Sequence, residues 1–276
     1  MVVCLCVSCH SNRKAAVTPV SDSNAEEFKV IGFFGGGQWR YAHMTHFIPG
    51  FLGFDGDGNL AHWDLRDVVS QAHANQVKVI VSFDGEHWEE NFLPMSDNAD
   101  GSRDRFISNL TQFLVEQDID GVDFDWEIGG GFSPEYQKQY SDLVIATKES
   151  LHPLNKTVSI DVYFRDELNT QGLAAVDWIQ LMSYQDLDEM HAMIDYWRSK
   201  GVPPEKMVVG MAVGWGDANE GFDHDLVASK TEYAIKKDFA GVMLFRTDLD
   251  TTSRDSMLHV VSDVIKHTDA QEVANN

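Results

Sequence analysis

The sequence predicts an α/β protein folded as one (β/α)8 barrel, and three observations predict it. Eight short apolar runs recur along the chain, with helical patterns between most of them. One of these runs, VKVIVSF at 77–83, is apolar at five of its seven positions without the strict alternation of a half-exposed strand, as strands of a parallel sheet covered on both faces tend to be. The chain has 276 residues and no break in composition marking a second domain, while such barrels commonly use about 250 residues as a single domain. A doubly wound open sheet is the alternative, but it usually has fewer strands.

Residues 1–27 read as a tail ahead of the barrel, which is assigned 28–276. All three cysteines, Cys4, Cys6 and Cys9, fall in that tail, so no disulfide can staple the rest. The apolar VVCLCVSC ends in small residues and gives way to a polar stretch, which suggests a shortened export signal. CVSC loosely resembles a lipoprotein cleavage box with Cys9 as the lipidated residue, against the alternative of a plain flexible tail. The expected location is therefore secreted or cell-envelope. C-x-C-x-x-C lacks a fourth ligand for a structural metal, and neither metal nor cofactor is expected.

The barrel elements follow in order. KVIGFF at 29–34 is a strand closed by Gly35, Gly36 and Gly37. No G-K-[ST] follows it, so the glycines mark a loop rather than a phosphate cradle. A second strand is expected over 45–54. Asp55, Asp57 and Asn59 then mimic the start of a calcium loop, but Leu60 stands where its glycine should be and Arg66 where its closing glutamate should be. Calcium is rejected there, and His43 and His46 read as structural.

A helix over 65–75 leads into the strand at 77–83, and Ser102 or Asp100 can cap the helix that runs to Val115. The fourth strand follows, after which Ser133 and Pro134 open a long helix to about residue 151, Ser at the N-cap and Pro at the first helical position. TVSIDV (157–162), WIQLMSY (178–184), MVVGMAV (207–213) and AGVMLF (240–245) complete the strands. Helical patterns lie near 189–200, 226–238 and 252–267. The linker after the first strand is too short for a full helix, and the one after the fifth borders on it.

Charge narrows the partners. Lys and Arg total 21 against 44 Asp and Glu, a net charge of −23. Such a surface repels nucleic acid and anionic membranes but is indifferent to a neutral polysaccharide. No run is long enough to span a membrane.

The candidate chemistry lies in residues 120–127, DGVDFDWE. Asp123, Asp125 and Glu127 alternate with Val122, Phe124 and Trp126. On a strand, that alternation places the carboxyls on one face and the apolar groups on the other. Three acids roughly 6.5–7 Å apart along the backbone cannot all ionise cheaply once shielded from water. At least one is therefore expected to keep its proton near neutral pH and serve as a general acid. In a barrel, active sites lie at the C-terminal strand ends, so Glu127 is outermost and Asp123 deepest.

DGVDFDWE resembles the D-G-x-D-x-D-x-E signature of the family 18 glycoside hydrolases, the chitinases and their relatives, at all five defining positions. The resemblance implies that Glu127 protonates the glycosidic oxygen. Asp125 would orient the substrate's own N-acetyl group for attack on the anomeric carbon, and Asp123 would hold Asp125 in the right charge state. Met182-Ser183-Tyr184 is similar to the family's M-x-Y motif, whose tyrosine contacts the acetamido carbonyl. VSFDG, 81–85, is similar to the third-strand S-x-G-G pattern.

Three positions depart from the family: Asp84 replaces a glycine, Gln185 replaces an Asp or Asn, and Phe245 replaces the tryptophan under the sugar. These bear on substrate choice and pocket shape more than on reaction type. Trp39, Trp88 and Trp215 follow predicted strands and are candidate stacking residues beside Phe245 and Gln185, whereas Trp63, Trp178 and Trp197 read as core. The short link between the seventh and eighth strands leaves no room for the α+β insertion of many relatives, which implies an open groove suited to internal cleavage.

The resemblance thus implies a retaining chitinase, cleaving β-1,4-linked N-acetylglucosamine polymers or oligosaccharides. The alternatives are an endo-β-N-acetylglucosaminidase acting on glycoprotein glycans and a chitinase-like lectin that binds without cutting. Such lectins typically lack the glutamate found here at 127.

Overall fold

The computed structural model describes residues 27–85, 88–128, 131–214 and 223–275. The tail with Cys9, and Trp215, lie outside the described residues. In chain order the elements are β1 (Lys29–Phe33), α1 (Gln38–Tyr41), β2 (His46–Ile48), α2 (Arg66–Ala74), β3 (Lys78–Asp84), α3 (Phe92–Asp97), α4 (Ser102–Glu116) and β4 (Gly121–Asp125). They continue with α5 (Pro134–Leu151), β5 (Thr157–Val162), α6 (Thr170–Ala175), β6 (Trp178–Leu181) and α7 (Leu187–Ser199). β7 (Met207–Ala212), α8 (His224–Lys236), β8 (Gly241–Phe245) and α9 (Met257–Asn275) complete the chain. The eight strands pair in sequence order, all parallel, and β8 closes on β1. This is the predicted (β/α)8 barrel. No helix among the described residues is long and apolar enough to cross a membrane.

Alternation along the strands sorts the interior into two layers. Val122, Phe124 and Trp126 point outward into the large core between strands and helices, where Trp126 stacks on Phe92 of α3 at 4.7 Å. Ile31, Phe33, Ile48, Ile80, Trp178, Val208 and Met243 fill a second core inside the barrel. The inward positions higher on β3 to β6 are polar instead: Ser82, Asp123, Ser159, Asp161 and Gln180 are all buried. The upper interior along β3 to β6 is thus polar, beside the apolar second core.

Three local expectations are corrected. The second strand is only three residues long, because Pro49 removes a ladder donor and Gly50 turns to φ 152°. Beyond it, Phe51 touches β3 through a single bridge to Ser82. Neither Ser102 nor Asp100 caps α4. Asn98 Oδ1 accepts from the N–H groups of Arg103 (3.0 Å) and Asp104 (3.3 Å), while Ser102 Oγ donates back to Met95 O at 3.0 Å. Trp63 is half-buried on a loop, whereas Trp178 and Trp197 are core as expected.

Ser133 does cap α5, accepting from Tyr136 N–H at 3.1 Å. α1 and α6, which follow the first and fifth strands, are short helices of four and six residues. The Asp55 carboxylate accepts from the N–H groups of Asp57 (3.0 Å) and Asn59 (2.9 Å), so it closes a turn on itself.

Candidate active site

The register of the sheet builds the site. Ser82 on β3, Asp123 on β4 and Ser159 on β5 stand side by side in one row, and Asp84 and Asp125 pair in the row above. Gly85 lets these rows close: a Cβ there would lie 2.7 Å from Glu127 N and 2.9 Å from Asp125 O, backbone atoms that cannot swing away.

Exposure grades along the acid row. Asp123 is fully buried, Asp125 is half-buried, and the Glu127 side chain is 50% exposed. Asp123 Oδ1 accepts from Ser159 Oγ (2.6 Å) and Gln180 Nε2 (2.9 Å), and Oδ2 accepts from Ser82 Oγ (2.8 Å). A fourth carboxyl, Asp161 on β5, is also buried and hydrogen-bonds Asp123. Burial and then the neighbouring charges of Asp123 and Asp125 raise Asp161 well above the ordinary carboxyl range, so it carries a proton and donates it to Asp123. Four donors thus converge on Asp123, opposing the upward push of burial.

Asp125 has no such support. Its Oδ1 is buried without a hydrogen-bond partner among the described residues. Burial, then the charges of Glu127, Asp123 and Asp84, raise it well above the ordinary range. Glu127 is also raised, mainly by burial; Arg165 opposes this and Asp84 adds to it. The Arg165 Nη1 lies 4.0 Å from Glu127 Oε2. All four carboxyls are thus pushed towards the protonated form, and the outermost of them, Glu127, is the one open to solvent.

Tyr184 faces the row from beyond β6. Burial, and then Asp161, Asp125 and Glu127, push its hydroxyl well above the ordinary tyrosine value, so it stays a donor. Its ring stacks on Phe245 at the end of β8, with centroids 6.0 Å apart and planes 24° from parallel. Phe33 and Phe34 meet Phe245 edge-on at 5.6 and 5.9 Å. The resulting floor is aromatic without a tryptophan.

The other candidates spread out. Gln185 is exposed, and it is its backbone that is held, the N–H donating to Glu189 at 2.8 Å. Trp88 meets Tyr136 of α5 edge-on at 5.9 Å. Trp39 packs on His43 at 4.8 Å, and His43 meets His259 of α9 at 5.2 Å, so this ring helps seat the last helix.

Sequence reasoning passed over Asp161, Arg165, Gln180 and Ser159. The signal for two of them was present: V-S-I-D-V in β5 repeats the period of D-F-D, placing Ser159 and Asp161 on one face. Arg165 sits in a loop, where no period announces it.

A closed barrel with a graded acid row at its C-terminal end is the geometry against which known proteins can be compared. Residues 21–221 match the model of the glycosyl hydrolases family 18. The chain belongs to that family. It is 25% identical over 222 residues to an endochitinase of Brugia malayi, covering 62% of this chain and 44% of that one. It is 29% identical over 134 residues to chitinase A1 of Niallia circulans, covering 42% of this chain and 19% of that one. The chain therefore spans less than half the length of these curated relatives.

Among solved structures, a family 18 chitinase of Flavobacterium johnsoniae superposes with TM-score 0.74 at 19% identity, covering 88% of this chain and 95% of that one. A chitinase of Rhizomucor miehei gives 0.71 at 20%, covering 86% and 99%. At such identities these likenesses establish the fold that this family 18 chain shares with them.

Proposed function

We propose that this family 18 chain is a retaining chitinase that cleaves β-1,4-linked N-acetylglucosamine polymers with the substrate's own acetamido group as nucleophile. The observation that carries the reading is the graded row: Glu127 is half-exposed with a raised affinity for its proton, directly above a half-buried Asp125 whose carboxyl is raised further. Glu127 delivers its proton to the glycosidic oxygen as the C–O bond breaks. The acetamido carbonyl oxygen bonds to the anomeric carbon from the opposite face, and the positive charge spreads over the resulting ring. Asp125 orients the acetamido N–H and stabilises that charge, while the Tyr184 hydroxyl donates to the carbonyl oxygen. Water, deprotonated by the now anionic Glu127, then opens the ring from the face the leaving group vacated, which restores the original configuration. Phe245 and Tyr184 offer the apolar face of the sugar a stacking surface.

Turnover of defined N-acetylglucosamine oligomers tests the reading, alongside fully deacetylated oligomers, cellulose oligomers and the Glu127→Gln variant. Only the acetylated substrate should be cleaved. Glu127→Gln should lose about a hundred- to ten-thousandfold in rate, the usual worth of a general acid, while oligomer affinity stays within about threefold because stacking does not involve that proton. Comparable turnover of cellulose oligomers excludes the acetamido mechanism. Affinity without turnover in the parent protein makes this chain a lectin.

A further inference from the structure

Beyond the acid row, one buried lysine faces the site from behind. Lys230 on α8 is only 1% exposed, a placement that lysine rarely takes unless its ammonium is fully engaged. Its Nζ donates to Ser183 O at 2.5 Å and to Gln185 O at 2.8 Å. Those two carbonyls belong to the residues on either side of Tyr184.

The segment between β6 and α7 has no strand ladder or helix of its own, because β6 ends at Leu181 and α7 starts at Leu187. Its conformation is set by what grips its backbone. Lys230 grips both flanking carbonyls. Glu189 Oε2 accepts the Gln185 N–H at 2.8 Å, and its Oε1 accepts the Tyr163 hydroxyl at 3.0 Å. Ser183 Oγ donates to Gly210 O on β7 at 3.1 Å. The peptide plane before Tyr184 is thus held by Lys230 through Ser183 O, the plane after it by Glu189 through the Gln185 N–H, and the next plane again by Lys230 through Gln185 O, which together fix the direction in which the tyrosine side chain leaves the chain. Burial lowers the Lys230 ammonium to about 8, while Glu189 and Asp186 on the adjoining turn oppose that loss.

We propose that Lys230 is the positioning residue for Tyr184, clamping the carbonyls on both sides so that the tyrosine hydroxyl meets the acetamido group; this rests on the reading of Tyr184 given above. The clamp is not part of the signature that identified the site, and it reaches the site through the helix layer rather than through the barrel.

A double-mutant cycle tests it, with Lys230→Met, Tyr184→Phe and the combination, each assayed for kcat and KM on an acetylated N-acetylglucosamine oligomer. The same cycle is run for oligomer affinity in a Glu127→Gln background. Lys230→Met should lower kcat by about ten- to a hundredfold, the scale of a misplacement near 1 Å, with KM moving less than about threefold. Tyr184→Phe should then cost far less in the Lys230→Met background than in the parent, because the hydroxyl is already out of place. Independent, multiplying losses overturn the proposal and leave Lys230 a structural residue.

Lys230→Gln, which keeps one donor, serves where Lys230→Met fails to fold. Failure of both to fold makes the lysine a folding residue and also overturns the proposal. If the parent turns nothing over, coupling of the two positions in the affinity cycle still supports the clamp while the hydrolase reading fails. Additivity there sinks the clamp as well.

Discussion

Glu167 offers a test of the electrostatics that is independent of turnover. It is 2% exposed; its Oε1 accepts the Tyr163 N–H at 3.1 Å, and its Oε2 is buried without a partner among the described residues. Burial, the largest influence, pushes its carboxyl from 4.5 up to about 8. The unfolded chain releases this proton near pH 4.5 and the folded chain only near 8, so between those values the folded state binds the extra proton. Stability is full below the unfolded value and falls as pH rises towards the folded one, at about 1.36 kcal/mol per unit. At pH 7 the accumulated loss is on the order of 3 kcal/mol.

Glu167→Gln keeps the acceptor for Tyr163 and removes the titration. Its melting temperature should therefore exceed the parent's by roughly 6–12 °C at pH 7, using about 2–4 °C per kcal/mol for a domain of this size. The excess should shrink steadily and vanish by about pH 4.5. Thermal unfolding across pH 4 to 8 followed by circular dichroism measures it. A difference that does not change with pH, or a parent more stable than the variant at pH 7, refutes the reasoning.

Arg165 and Asp84 act on Glu127 with opposite signs, and on the proposed reading Glu127 works only while protonated. Arg165→Gln should move the alkaline limb of kcat/KM to higher pH and Asp84→Asn should move it lower; shifts in the same direction, or none, would remove both residues from the account. Gly85→Ala places a methyl 2.7 Å from Glu127 N. It should cost about a hundredfold in turnover, with about 1–3 kcal/mol of stability measured by denaturant unfolding, and near-parental activity would show that the two strand ends need not touch.

Much of this molecule was legible in the sequence because strand periodicity is a local property. The D-F-D alternation of β4 placed Asp123 and Asp125 inside the barrel and Phe124 against the helices, as found. Ser133-Pro134 announced α5 for an equally local reason, a side chain reaching an N–H three residues on. What stayed hidden depends on register between elements far apart in the chain. Gln180 reaches Asp123 across 57 residues, and nothing near Gln180 in the sequence distinguishes it from a surface amide. Lys230 is a further case: on α8 it reads as one of the charged residues of an amphipathic helix, yet the barrel closes over it. The α4 cap was misassigned because Asn98 reaches forward from outside the window in which caps are sought.

The uneven support of the acids carries one more step. Among them Asp123 alone receives three neutral donors plus the proton of Asp161, so a negative charge is best accommodated there. That charge makes it harder for Asp125 to ionise. Asp125 thus holds a proton more tightly than an ordinary carboxyl, and its Oδ1 is left buried without a partner among the described residues. Leaving such an acceptor unmet costs about 1–3 kcal/mol, a cost that sequence drift to a smaller residue would remove unless something donates to it part of the time. An amide N–H held above the Tyr184–Phe245 floor is a donor of the right kind. A sugar hydroxyl donates too, but lacks the carbonyl that the protonated Tyr184 is set to receive. On the proposed reading, the same pair of groups therefore explains both why the barrel tolerates the strain of Asp125 and why the substrate must be acetylated.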